Sequence, residues 1–277
     1  MATGNRIVYR ALGAGLAAFA TLLSIVAFAQ QPLTEERCPR MVAQDTPHLW
    51  RANLQLAAVN PGEVRLTYIG HSTFEIESAA GIRIATDYND YVRPRAVPHI
   101  ATMNRAHSTH YTNNPDPGIA HVLRGWGADN EPARIDLTYE DVWVRNVPTN
   151  IRDWGGGTML HGNSIFVFET GGVCIAHLGH LHHTLAPVHL QEMGRIDVVL
   201  VPVDGSFTLN VEGMVEVLRQ INAPLAIPMH VFGEHTLQRF LQAMGEIYDA
   251  ERATSPTLIV SRASLPVKPK IVVLPGR

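Results

Sequence analysis

Four histidines, His177, His180, His182 and His183, fall within the run HLGHLHH, directly after the apolar stretch GGVCIA. Neutral imidazole is the commonest ligand for zinc-like metals, so a cluster of this kind raises metal chemistry first. Other histidines bear on that choice. His71 follows LTYIG, His107 and His110 follow IATMN, and His230 follows LAIPM, each a strand-like run. Strand ends on one edge of a sheet can bring distant residues together. Any one of these histidines reads most simply as a satisfied or surface residue; several at successive strand ends read as a cluster.

The elements that must position them begin at Val64. VRLTYIG, TFEIES and IRIATD are short β-rich runs separated by GHS and AAG, which suits consecutive antiparallel strands. HIATMN is a further strand running into the polar loop RAHSTHYTNNPDPG. IDLTYEDVWVRNVP and SIFVFETGGVCIAHLG read as two hairpins, the second turning at Gly171 and Gly172. Beyond them IDVVLVPV reads as a strand, NVEGMVEVLRQI as a helix, LAIPMH as a strand and EHTLQRFLQAMGEIY as a helix. LIVS and IVVLP are late strands. Antiparallel strands first and β-α alternation later predict an α/β (α+β) class, with sheets covered by helices. Loops 111–134 and 149–163, which carry Trp126 and Trp154, are expected to wall a pocket.

With 277 residues, 46% of them hydrophobic, the chain can bury one sizeable core. Its start has the layout of a secretory signal: Arg6 and Arg10, an uncharged apolar stretch over 11–28, and small residues ending at Ala29. The expected organisation is a signal peptide over 1–29, an extension over 30–62 and a domain over 63–277, periplasmic or secreted after cleavage near Ala29. An uncleaved anchor is the alternative, and would be the only membrane contact. Removing two arginines and no acid moves the formal charge from −3 to −5. Only Lys268 and Lys270 are lysines and no basic stripe appears, which argues against a nucleic-acid partner. Cys38 and Cys174 could pair in an oxidising compartment. Cys174, between Val173 and Ile175, reads first as a packed strand residue.

Five blocks, TYIGHSTFEIESAAGIRIATD, TMNRAHSTHYT, GNSIFVFETGGVCIAHLGHLHHTL, VPVDGSFTL and IPMH, occur in that order over about residues 64–235. Together they resemble the metallo-β-lactamase superfamily, near its ascorbate-phosphate lactonase branch. The resemblance implies an αβ/βα four-layer sandwich with a metal-dependent hydrolytic site on one edge of the two sheets.

Departures from the family pattern shape the expected chemistry. The family loop H-x-H-x-D-H stands here as Arg105-Ala106-His107-Ser108-Thr109-His110, and the family H-L-G-D as His177-Leu178-Gly179-His180. The histidine expected before the glycine run is absent, with His161 as a stand-in. Two ions about 3.5–4 Å apart depend on shared negative ligands, so loss of both carboxylates disfavours a two-metal centre. The resemblance therefore implies one divalent metal, zinc first, with manganese or iron as alternatives, held by His107, His110, His180 and His230. Three imidazoles with an open fourth position lower the pKa of bound water to about 7.

On this reading Arg105 fills the space of the lost ion and holds an anionic substrate group or an oxyanion. His183 transfers protons at the site mouth, beside His182. His71, Asp87 and His177 are outer hydrogen-bond partners, and Asp204 is a further residue that could orient a histidine. The expected function is that of an exported metal-dependent hydrolase, with metal-bound hydroxide attacking an ester, lactone or phosphoester of a small-molecule substrate, anionic if Arg105 serves it. The alternative is a catalytically degenerate relative that binds a metal or ligand.

Overall fold

Alternation of apolar residues explains how one set of strands serves two cores. In the run Val198-Val199-Leu200-Val201 the first and third side chains enter one apolar cluster and the second and fourth another, as the two-residue period of a strand requires. The computed structural model describes Met1, residues 59–153 and residues 155–276. The expected signal peptide and all but the last residues of the expected extension lie outside the described residues, as does Cys38. Cys174 is buried and disulfide-bonded.

In chain order the strands are β1 (Glu63–Gly70), β2 (Thr73–Glu77), β3 (Arg83–Ala85), β4 (Ile100–Met103), β5 (His121–Arg124), β6 (Asp136–Tyr139), β7 (Val142–Arg152), β8 (Thr158–Thr170) and β9 (Val173–His177). Helix α1 (Pro187–Met193) precedes β10 (Val198–Pro202), α2 (Val211–Ile221) precedes β11 (Leu225–Met229), and α3 (Glu234–Met244) precedes β12 (Asp249–Arg252). Strands β13 (Thr257–Ser261) and β14 (Lys270–Val273) follow. One sheet has the order β13-β1-β2-β3-β4-β5 and the other β12-β14-β11-β10-β9-β8-β7-β6.

Phe74, Ile76 and Ile84 from the first sheet pack against Phe166, Phe168, Ile175, Leu200 and Ile227 from the second, forming the core between them. Val167, Val199 and Val201 on the opposite face of the second sheet meet Met193, Met214, Leu218, Leu237 and Phe240 of the three helices. Each fully buried side chain of this size contributes about 1.5–3 kcal/mol. Helix α2 shows why the sequence folds so. Val211, Met214, Val215 and Leu218 share one face, Asn210 caps the start by accepting from the Gly213 amide, and left-handed Asn222 ends it.

The expected two-sheet sandwich with a helical cover is thus present. Over the outer face of the six-stranded sheet, Tyr88, Tyr111, Ile119 and Trp126 from connecting loops cover Ala85, Ala101 and Met103. Segment 149–163, expected as a loop, is mostly strand: Ile151 pairs with Met159 and Arg152 with Thr158 in a long β7–β8 hairpin. Its polar composition hid alternation that pairing across the hairpin makes regular. Strand β5 interrupts the expected loop 111–134. The short elements α1, β5 and β12 carried too few periodic positions to read from sequence.

Candidate metal centre

Strands β9, β10 and β11 run parallel, so their C-terminal ends share one edge, where the chain must turn and can present side chains. His180 follows β9, Asp204 follows β10 and His230 follows β11 directly. The first sheet adds His71 from the β1–β2 turn, and His107 and His110 from the loop after β4. Backbone bonds fasten the halves together: the His230 amide donates to the His71 carbonyl at 2.7 Å, and the Arg105 amide to the Gly162 carbonyl of β8 at 3.0 Å.

His107, His110, His180 and His230 each bring a ring nitrogen within 4.8 Å of the others. His110, His180 and His230 are buried and His107 half-buried. Nε2 of His110, Nε2 of His230 and Nδ1 of His180 are buried without a hydrogen-bond partner, a costly condition for polar atoms unless a ligand satisfies them. His107 Nε2 lies 3.2 Å from His180 Nε2. Tetrahedral coordination at zinc–nitrogen distances of about 2.0–2.1 Å sets donors roughly 3.3 Å apart. The residues fit a single cation, and all four donors are imidazoles.

Three of the rings have their other nitrogen fixed. His110 Nδ1 meets Asp87 Oδ2 at 2.6 Å, His230 Nδ1 meets Asp204 Oδ2 at 2.9 Å, and His107 Nδ1 meets Thr109 Oγ1 at 2.9 Å. Such partners hold the tautomer and ring orientation that a ligand needs. Thr109, where the family keeps an aspartate, thus serves an imidazole instead. His180 is placed through its backbone. Its amide donates to Asn163 Oδ1 at 2.8 Å, and Asn163 Nδ2 in turn donates to Thr149 Oγ1 and the Leu178 carbonyl. Gly179 is obligatory in this turn, since its φ is +62° and a Cβ would lie 2.4 Å from Asn163 Oδ1.

Burial dominates the electrostatics. It lowers the pKa of His110 well below the usual imidazole value, aided by His230 and His107. Burial and the neighbouring His110 and His230 push His180 down to about 2, and burial with His230 takes His71 to about 4. These rings are neutral near pH 7, the state a cation requires. The two carboxylates respond differently. Complete burial pushes Asp87 up. Burial also acts to raise Asp204, but hydrogen bonds from His230 and Thr208 outweigh it and hold the carboxyl well below its ordinary range.

Several expected roles are corrected. Arg105 does not occupy the space of a second ion: it is exposed, and its guanidinium donates to Asn130 Oδ1 at 3.3 Å. His183 has both ring nitrogens engaged by backbone groups rather than turned to the cluster: Nδ1–H donates to the Thr184 carbonyl and Nε2 accepts from the Asn150 amide. Its ring neighbours are His182 and His189. His182 donates from Nδ1 to the Asn150 carbonyl. His177 touches no ligand ring; it donates from Nε2 to the Ser72 carbonyl and accepts the Gly179 amide on Nδ1, so it braces two turns that carry site residues. His161 stands outside the four-histidine group. Asp87 does orient a histidine, and so does Asp204.

His71 lies closer to the cluster than an outer partner would. Its half-buried ring centroid is 4.3 Å from that of His230 and 5.0 Å from that of His110. Nδ1 meets Ser72 Oγ at 3.1 Å, while Nε2 is 3.5 Å from Thr109 Oγ1. Asn104, Asn163 and Phe232 were not singled out from sequence. Only their positions beside the histidine-bearing turns could have drawn attention to them.

The Beta-lactamase superfamily domain model matches residues 65–230, from β1 to the last histidine of the cluster. A UPF0173 metal-dependent hydrolase of Methanoculleus marisnigri is 28% identical over 181 residues, covering 60% of this chain and 80% of the relative. Another, from Methanospirillum hungatei, is 25% identical over 211 residues, covering 69% and 92%. A proposed Zn-dependent hydrolase of the metallo-beta-lactamase superfamily from Thermotoga maritima superposes with TM-score 0.57 at 27% identity, covering 77% of this chain and 100% of that one. A metallo hydrolase of Ignicoccus hospitalis shares the fold at 18% identity and TM-score 0.51, covering 78% and 97%.

Proposed function

The chain belongs to the metallo-β-lactamase superfamily, and on that premise we propose that it is an exported hydrolase working with one divalent ion held within the group His107, His110, His180 and His230, three of the rings binding at once. The observation that carries this reading is the gathering of one ring nitrogen from each of the four histidines within 4.8 Å, with Nε2 of His110 and of His230 buried and partnerless. Asp87 and Asp204, one hydrogen bond behind the cluster, balance the charge of one dication, whereas among the described residues no carboxylate joins the four rings to hold two together. An all-imidazole donor set suits zinc, with iron as an alternative; manganese favours oxygen ligands. The disulfide at Cys174 supports an oxidising compartment, and with it export.

A bound dication would supply Lewis acidity and a water of lowered pKa. The remaining work falls to the chain. His71, neutral near pH 7, presents Nε2 beside the cluster and can take the proton released as water adds to the carbonyl carbon of an ester or lactone. It returns that proton to the alkoxide as the acyl–oxygen bond breaks. A phosphoester would follow the same proton route. Thr109 lies between His71 Nε2 and His107 Nδ1 and sets the distance between them.

Metal analysis of the purified chain tests this reading: close to one zinc-like ion per chain is expected, with ester turnover that chelation abolishes and zinc restores. A second reading follows from the donor count. If all four imidazoles bind at once, tetrahedral zinc has no open position and the site is structural. One ion per chain, raised melting temperature and no turnover of esters, lactones or phosphoesters would establish that reading instead.

A further inference from the structure

Two large aromatic side chains stand in solvent beside the histidine cluster. Phe207 is 61% exposed and Phe232 54% exposed. Their rings meet edge to face at 5.5 Å, and the Phe232 ring lies 4.7 Å from His230 and 5.8 Å from His71. Both are held by the frame that holds the site. Phe232 follows His230 by two residues, and the Phe207 amide donates to Asp204 Oδ1 at 2.5 Å while Asp204 Oδ2 accepts from His230 Nδ1. The Ser206 and Thr208 amides bond to the same Oδ1, so the loop displaying Phe207 is fixed by one carboxylate. Arg152 of the long hairpin braces this loop through the Ser206 carbonyl.

We propose that Phe207 and Phe232 form the wall on which an apolar acyl chain of the substrate rests, so that the preferred substrates are medium-chain esters or lactones. This rests on the hydrolase reading and narrows it. Exposed paired aromatics gain free energy when an apolar group covers them, and here the covered surface is continuous with His71 and His230, where the reacting carbonyl would lie. The guanidinium expected to hold an anion, Arg105, is turned to Asn130, and that of Arg152 is engaged by the Ser206 carbonyl.

The test uses the full-length, zinc-loaded chain with p-nitrophenyl acetate and octanoate, together with calorimetric binding of acetohydroxamate and octanohydroxamate. Wild type should prefer the octanoyl member in both series. Phe207→Ala and Phe232→Ala should each reduce that preference on the order of tenfold, at unchanged zinc content, and Phe232→Leu should retain most of it. Equal affinity of wild type for the two hydroxamates, or equal losses for short and long chains in the variants, overturns the wall. A chain-length preference in binding with no ester turned over supports the wall and overturns the hydrolase reading alone.

Discussion

Asp87 Oδ2 sits 2.6 Å from His110 Nδ1, with both side chains completely buried. The pair aims His110 Nε2 into the cluster, and it buries a carboxylate that a hydrogen bond from Asn104 supports and a nearby cation would stabilise further. Asp87 has φ +43°, a conformation asparagine also tolerates. Asp87→Asn therefore keeps the backbone and removes the charge. Zinc affinity should fall about 10–100-fold, measured by competition with a chelator, while the metal-free melting temperature holds or rises. An unchanged affinity would show that the carboxylate does not support the ion.

His180 and His107 should respond differently to truncation. His180 is buried, whereas His107, whose Nε2 lies 3.2 Å from His180 Nε2, is half-buried at the rim of the group. His180→Ala should release most of the bound metal. His107→Ala should retain an ion on the three remaining imidazoles at reduced affinity. Elemental analysis after dialysis distinguishes the two, and equal retention would mean that the cluster does not bind as described.

Arg105→Ala and His183→Ala should leave ester turnover within about twofold of wild type. The Arg105 side chain points to Asn130, and both His183 nitrogens are committed to backbone groups. His183→Ala should cost about 0.5–1.5 kcal/mol for the lost hydrogen bonding, read from denaturant unfolding. A hundredfold loss of kcat with either variant would restore the role read from sequence.

Acid should destabilise the metal-free chain in a defined window. Burial holds His110, His177 and His180 below the usual imidazole pKa. As pH falls through about 6.5 the unfolded chain gains protons that the folded one refuses. Stability is therefore complete above that pH and declines below it by about 1.4 kcal/mol per unit for each such ring. Melting temperature should be level above pH 7 and fall between pH 6.5 and 5. Zinc should shift the decline to lower pH, because bound imidazoles stay deprotonated. A level profile from pH 7 to 5 would contradict this account.

Gly179→Ala should cost about 2–4 kcal/mol, since the turn needs a left-handed residue and the added methyl would strike Asn163 and Asn104. Those asparagines hold His180 and the His107–His110 loop, so zinc affinity should fall with stability. Thermal melts and chelator competition on the same sample check both.

Much of this site was legible because histidine positions were tied to strand ends. His107, His110, His180 and His230 could be picked out from three separate segments, and the apolar runs of β8, β9 and β10 were enough to predict the sheet edge that gathers them. Side-chain direction was not legible. Arg105 occupies a family ligand position, yet its long side chain turns outward to Asn130, a choice made by local rotamers and solvent rather than by residue type. His183 looked free because nothing in HLGHLHH reveals that the neighbouring hairpin offers an amide to its ring. Thr109 read as a loss of function, and only coordinates show its hydroxyl supporting His107. The Phe207–Phe232 pair escaped notice for a similar reason: isolated phenylalanines after strands read as core until their exposure is known.

The backbone bond from the His230 amide to the His71 carbonyl joins the two ends of the family-matched segment. A nascent polypeptide lacks that clasp until almost the whole domain has emerged and both sheets have docked. The ion is then a late guest, admitted to a finished receptacle rather than a seed around which the protein gathers. Scarcity of metal during synthesis should accordingly leave a folded, empty protein awaiting its charge, not an aggregate.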